Sequence, residues 1–151
     1  RLFLRIARAL DVVHAQGIVH RDIKPANIMY ETASDTVKVT DFGIARITDS
    51  SKTKTGLVLG TPSFMSPEQL AGKKVDGRSD LYSLGVMLFE MASGRPPFNA
   101  DSAMTLMMMH INDPVPDPRK LNPEVPDELI RIINKALAKD PASMVVRNSS
   151  S

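Results

Sequence analysis

Residues 20–43 concentrate side chains that can do chemistry. The stretch opens with His20-Arg21-Asp22-Ile23-Lys24-Pro25-Ala26-Asn27 and closes with Asp41-Phe42-Gly43. Two short apolar runs lie between, Ile28-Met29-Tyr30 and Val37-Lys38-Val39, joined by the polar run 31–36. They read as the strands of a hairpin. The open ends of a hairpin meet, so Asp22, Asn27 and Asp41 should converge, with Lys24 beside them. Three hard oxygen donors and one ammonium suit a magnesium ion and a phosphate. Pro25 removes a backbone donor and biases Lys24 toward an extended conformation, so residues 20–27 form a loop.

The positioning elements follow from periodicity. Phe3, Ile6, Leu10 and Val13 recur at helical spacing, which predicts a helix over 1–16 with Gly17 as its stop. Ile18-Val19 reads as a very short strand. Residues 44–66 carry Ser50, Ser51, Thr53, Thr55 and Thr61 with little periodicity, and a segment this long without structure points to function or mobility. Ser66-Pro67-Glu68-Gln69-Leu70 reads as a helical turn. Residues 79–93 hold Leu81, Leu84, Val86, Met87, Leu88, Phe89 and Met91, apolar on nearly every side, which predicts a buried helix. Gly94 ends it. A helix over 101–111 has Asp101 as its expected N-cap. Its Met104, Met107, Met108 and Met109 suit flexible packing, or an adaptable docking surface. Residues 112–126 read as loop. An amphipathic helix spans 127–139, with Leu129, Ile132, Ile133, Ala136 and Leu137 on one face.

The 151 residues suffice for one domain with a real core. A net charge of +2 with scattered basic residues gives no argument for nucleic acid. The chain has no cysteine, which excludes disulfides and thiolate metal sites and fits a cytoplasmic setting. No run of about 18 apolar residues occurs. The first residue already lies inside a helix and the last three are serines, so the chain reads as a piece of a longer protein.

Four motifs in order then resemble one family. His20-Arg21-Asp22 with Asn27 is similar to the catalytic loop of eukaryotic-type protein kinases, and Asp41-Phe42-Gly43 to their metal-binding motif. Ser66-Pro67-Glu68 resembles the Ala-Pro-Glu that closes their activation segment, and Asp80-Leu81-Tyr82-Ser83-Leu84-Gly85 the start of their central buried helix. Lys24 points to the serine/threonine branch. Gly60–Leu70 and Gly94–Phe98 resemble its bacterial members. The resemblance implies a mainly α fold: a kinase C-terminal lobe over 1–144, a helical bundle with a small β-hairpin, and a polar tail over 145–151. The family's smaller lobe, with its Gly-rich loop, strand lysine and helix glutamate, has no counterpart here.

By this resemblance the cofactors are ATP and Mg²⁺, and the partner is a protein bearing Ser or Thr. Asp22 is the expected base, Lys24 the γ-phosphate contact, and Asn27 and Asp41 the metal ligands. Met29 is the expected floor of the adenine pocket, with Met87 and Met91 stacked beneath it. His20 and Phe42 belong to an apolar stack between lobes, and the His20 ring should bond backbone near Asp41. A metal role for His20 is poor, since no second His or Cys stands at ligand spacing. His14 and His110 read as ordinary helix residues. Asp80 is a buried anchor for the backbone of the catalytic loop. Arg21 implies regulation by activation-segment phosphate, expected at Thr53 and Thr55, with Thr61 contacting the catalytic loop.

One position departs from the family. Glu68 should pair with an arginine four residues after an Asp-Pro, and Met144 stands there. Arg147 could substitute, Glu68 could be more exposed than usual, or the end of the lobe could be disordered. A divergent tail is a fourth option. Three functions stay open. The first is the lobe of an active serine/threonine kinase, inactive by itself because it holds half of the nucleotide cleft. The second is a non-catalytic, pseudokinase-like scaffold. The third is a small-molecule kinase, which the activation segment argues against. Without the small lobe, the face around Met29 and Met87 should be exposed and promote self-association.

Overall fold

The computed structural model describes residues 1–42 and 62–144. Over these it is mainly helical with one small antiparallel sheet. Helix α1 spans Leu2–Ala15 and buries Ile6 and Leu10, the middle of the predicted apolar stripe. Gly17 follows it at φ 75°, a left-handed position that glycine adopts without strain. Ile18-Val19 forms no strand, because the Ile18 N–H turns back to the Val13 carbonyl at 3.0 Å.

Strands β1 (Ile28–Glu31) and β2 (Thr36–Val39) pair antiparallel, with Ile28 opposite Val39 and Glu31 opposite Thr36. Asp35, at φ 51° in the turn, ties this hairpin to α1. It accepts from the Tyr30 hydroxyl at 2.9 Å and pairs with Arg1 and Arg5. The Tyr30 bond, then the two guanidiniums, hold its carboxyl below the usual range against the opposing effect of desolvation.

Helix α2 (Pro67–Leu70) is a single turn with a complete capping box, Ser66 and Gln69 serving each other's backbone. Helix α3 (Gly77–Ser93) is the central element. It is not buried all round: Leu81 is 37% exposed and Met91 64%. Its buried face splits between two clusters. Leu84 and Met87 join Ile6, Leu10 and Ile23 under the hairpin. Tyr82, Val86 and Phe89 join Ile133 and Leu137 on the other side. Each such large apolar side chain contributes about 1.5–3 kcal/mol by leaving water. Gly85 lets the last helix approach, since a Cβ there would lie 2.7 Å from that of Ala136.

Helix α4 (Ala103–Asn112) is capped by Ser102, not Asp101; the Ser102 hydroxyl accepts from the Thr105 N–H at 3.1 Å. Either residue type suits the role, and the serine has the position from which the hydroxyl reaches the free N–H. Met104 and Met108 are exposed, while Leu106 and His110 are buried. Helix α5 (Asp127–Ala136) ends three residues before the periodicity suggests, and Ile132 on its expected apolar face is 50% exposed.

Candidate active site

The site begins with Asp80 in the first turn of α3. Asp76 caps that helix by accepting from the Arg78 N–H at 2.9 Å. Asp80 is 1% exposed. Its Oδ1 accepts from the Arg21 N–H at 2.8 Å and its Oδ2 from the His20 N–H at 2.9 Å. A third contact comes from His14 Nε2, 2.7 Å from Oδ2. Hydrogen bonds to an ionised acceptor are about twice as strong as neutral ones, so this carboxylate fixes two successive loop amides. His14 is therefore not an ordinary helix residue. Gly77 makes room for it, since a Cβ there would lie 2.7 Å from its Nδ1.

Held this way, the loop takes an uncommon path. Arg21 sits at φ 71° and Asp41 at φ 54°, left-handed values for non-glycine residues. The His20 ring is fully buried between them. Its Nε2 lies 2.7 Å from the Thr40 carbonyl, and its Nδ1 accepts from the Asp22 N–H at 3.1 Å. A carbonyl can only accept and an amide can only donate, so the ring is neutral with its proton on Nε2. Phe42 packs on it, with ring centroids 4.5 Å apart.

Asn27 closes the 3-10 turn Pro25–Asn27, with Lys24 extended before it at φ −160° and ψ 163°. The Asn27 side chain is buried. Its Nδ2 donates to the Asp22 carbonyl at 2.8 Å and to the Asp22 carboxylate at 3.2 Å. The Lys24 ammonium lies 3.6 Å from the same carboxylate. Across the hairpin end the Thr40 N–H donates to the Asn27 carbonyl at 2.9 Å, which sets Asp41 one residue beyond. The structure thus brings Asp22, Lys24, Asn27 and the exposed Asp41 to one end of the hairpin.

The donor set is hard and incomplete. With Nδ2 committed to Asp22, Asn27 keeps Oδ1 available as a donor oxygen, and Asp41 offers a carboxylate. Among the described residues no group of three His, Cys, Asp or Glu could hold a metal. Two protein oxygens fit Mg²⁺ if phosphate oxygens and water complete its octahedron.

Met29 does not lie over Met87 and Met91. It is 60% exposed and lines a shallow cavity with Glu31, Thr36 and Lys38. Successive strand residues face opposite ways. Ile28 therefore lines a different cavity, of about 340 Å³, together with Leu2, Met87 and Met91, and Tyr30 borders both cavities.

Glu68 is not more exposed than usual, at 6%. Its Oε1 accepts from the Ser79 hydroxyl at 2.5 Å, and its Oε2 has no hydrogen-bond partner among the described residues. Met144 packs on the apolar cluster around Tyr82 and Val86, which rules out ion pairing from that position. Gly43, Thr53, Thr55, Thr61 and Arg147 lie outside the described residues. His110 is also no ordinary helix residue. It is 1% exposed, and its Nδ1 lies 2.8 Å from the Tyr82 hydroxyl. Burial, then the Lys139 ammonium, push it down to about 4. Lys139 itself, over the Phe98 ring, is lowered to about 8 by burial.

Comparison with known proteins adds the family. The family described as "Protein kinase domain" matches residues 1–145. The chain is 45% identical to the DNA damage-responsive serine/threonine-protein kinase RqkA of Deinococcus radiodurans, over 88% of this chain and 20% of that protein. It is 46% identical to serine/threonine-protein kinase PknD of Mycobacterium tuberculosis, over 91% of this chain and 21% of that protein. Serine/threonine-protein kinase pkn3 of Myxococcus xanthus is 43% identical, over 94% of this chain and 28% of its own length. The chain thus spans between 20% and 28% of the length of these relatives. A loop 20–27 anchored by Asp80, a hairpin that gathers Asp22, Asn27 and Asp41, and a match over nearly the whole chain have one meaning: this chain belongs to the protein kinase domain family.

Proposed function

We propose that this chain is the larger, helical lobe of a bacterial-type protein serine/threonine kinase, and that it carries the phosphoryl-transfer chemistry of the whole protein. The observation that carries the reading is the double hold of Asn27 on Asp22. One amide group meets both the backbone and the carboxylate of Asp22, at 2.8 and 3.2 Å. That fixes the base and leaves a metal-ligating oxygen beside it. Mg²⁺ and ATP, when bound, supply the charge-neutralising cation and the transferable γ-phosphoryl group. Asp22 accepts or orients the proton of a protein Ser or Thr hydroxyl. Lys24 presents its ammonium where charge builds on the transferring group. Asn27 and Asp41 hold the metal. Met29 offers an exposed apolar surface to the adenine ring. Thr53 and Thr55 are the regulatory phosphorylation sites that act through Arg21.

The lobe by itself offers one wall of a cleft, and catalysis of this kind depends on positioning from both. The 151-residue chain is therefore expected to transfer no phosphate. The test is Mg²⁺-dependent transfer from labelled ATP to a Ser/Thr protein substrate by the full-length polypeptide carrying this chain. Asp22→Asn should lower kcat by about 10²–10⁴-fold, the usual worth of a positioned base. Wild-type turnover in that variant would refute the assignment. Wild-type inactivity at every metal and substrate tried would favour a scaffold.

A further inference from the structure

We propose that Gln69 is a positioning residue of the catalytic loop, holding the Arg21 carbonyl beside Asp22 with one end of its amide while the other end caps α2. The inference rests on the kinase reading of that loop. The peptide plane joining Arg21 to Asp22 begins at a left-handed residue, φ 71°. Such a conformation in a non-glycine residue persists only where its surroundings over-determine it. Asp80 fixes the Arg21 N–H, and the His20 ring takes the Asp22 N–H at 3.1 Å. The remaining polar atom of that plane, the Arg21 carbonyl, accepts from Gln69 Nε2 at 3.0 Å across 48 residues of sequence.

The orientation of the Gln69 amide is forced. The Ser66 N–H can only donate and takes Oε1 at 3.1 Å, while the Arg21 carbonyl can only accept and takes Nε2. The capping box alone would be served equally by glutamate. Only glutamine closes the cap and also offers a donor to the loop. The side chain therefore couples the Ser-Pro-Glu turn to the peptide on which Asp22 is mounted.

Gln69→Glu separates the two jobs. It keeps the capping oxygen and replaces the donor by an oxygen facing a carbonyl. In the 151-residue chain the melting temperature should stay within about 2 °C, since the cap is retained. The Asp22 amide resonance should shift and exchange its hydrogen about tenfold faster, as for the loss of one hydrogen bond. In the full-length polypeptide kcat should fall about tenfold with KM for ATP within about twofold. An Asp22 amide or a kcat that stays at the wild-type value overturns the proposal, the latter leaving Gln69 a structural contact only. If Gln69→Glu does not fold, Gln69→Met reads the same amide, and an unshifted resonance there is equally fatal. An inactive wild-type polypeptide would count against the kinase reading, while the amide measurement would still test the hold of Gln69 on the loop.

Discussion

Asp80 and Glu68 are both buried carboxylates, 1% and 6% exposed; Asp80 belongs to the first turn of α3, and Glu68 meets that turn through Ser79. Asp80 faces the loop 20–27 and receives two backbone amides and an imidazole. Glu68 faces the Ser66–Ser79 side and receives one hydroxyl, with Oε2 buried and without a hydrogen-bond partner among the described residues. Taking an ion out of water costs several kcal/mol in a protein, and only well-aimed hydrogen bonds offset that. The contrast is therefore one of rigidity. The chain spends its charge-assisted bonds where backbone atoms must stay fixed beside Asp22. At Glu68 a hydroxyl ladder through Ser79 and Ser66 suffices, and Met144 packs on the apolar cluster around Tyr82.

The largest expected effect lies at Asp80. Asp80→Ala strands two loop amides and His14, and should cost about 3–5 kcal/mol of unfolding free energy. Denaturant titration reads the loss, and hydrogen exchange should show the His20 and Arg21 amides unprotected. A loss no larger than that of Glu68→Ala would break the comparison.

His110, buried beside Tyr82 and Phe98, offers the next effect. Its folded value is about 4, against about 6.5 unfolded. The sign follows from proton uptake. Above pH 6.5 both states are neutral and His110 leaves stability unchanged. As pH falls from about 6.5 to 4 the unfolded chain binds a proton that the folded one refuses, so stability declines. The slope approaches 1.4 kcal/mol per pH unit and totals about 3 kcal/mol across the window. Unfolding measured against pH should lose this slope in His110→Gln. An unchanged slope would move the acid sensitivity to the buried carboxylates Asp80 and Glu68.

The sequence made local chemistry legible. The loop 20–27, the hairpin and the order of the four motifs follow from residue type and short spacing, and α1 and α3 from apolar periodicity. Partners far apart in the chain were hidden. His14 meets Asp80 across 66 residues and Gln69 meets Arg21 across 48, and neither histidine nor glutamine announces its partner by type. A signal existed for one of them: Ser66-x-x-Gln69 is a capping-box spacing. Exposure was hidden as well. Leu81 and Met91 belong to an apolar helix, and only the neighbours of α3 decide which of its sides is covered. Met29 was misplaced over Met87 for a different reason. Strand alternation, legible in Ile28-Met29-Tyr30, already assigns Ile28 and Tyr30 to the face opposite Met29.

The smallest effect carries the opposite sign and sharpens the contrast most. Glu68→Gln keeps an oxygen for the Ser79 hydroxyl and removes a buried charge that meets no ion-pair partner among the described residues and acts on the Arg78 guanidinium only through space. An amide left partly unpaired costs less than an unpaired carboxylate, so the substitution should be neutral or stabilise by about 1 kcal/mol. The corresponding Asp80→Asn should destabilise, because an amide nitrogen would then face N–H donors on one side. Chemical unfolding of both variants in the same buffer tests the pair. A destabilised Glu68→Gln would mean that the Glu68 charge is compensated after all, and that its single hydroxyl contact is only part of what holds it.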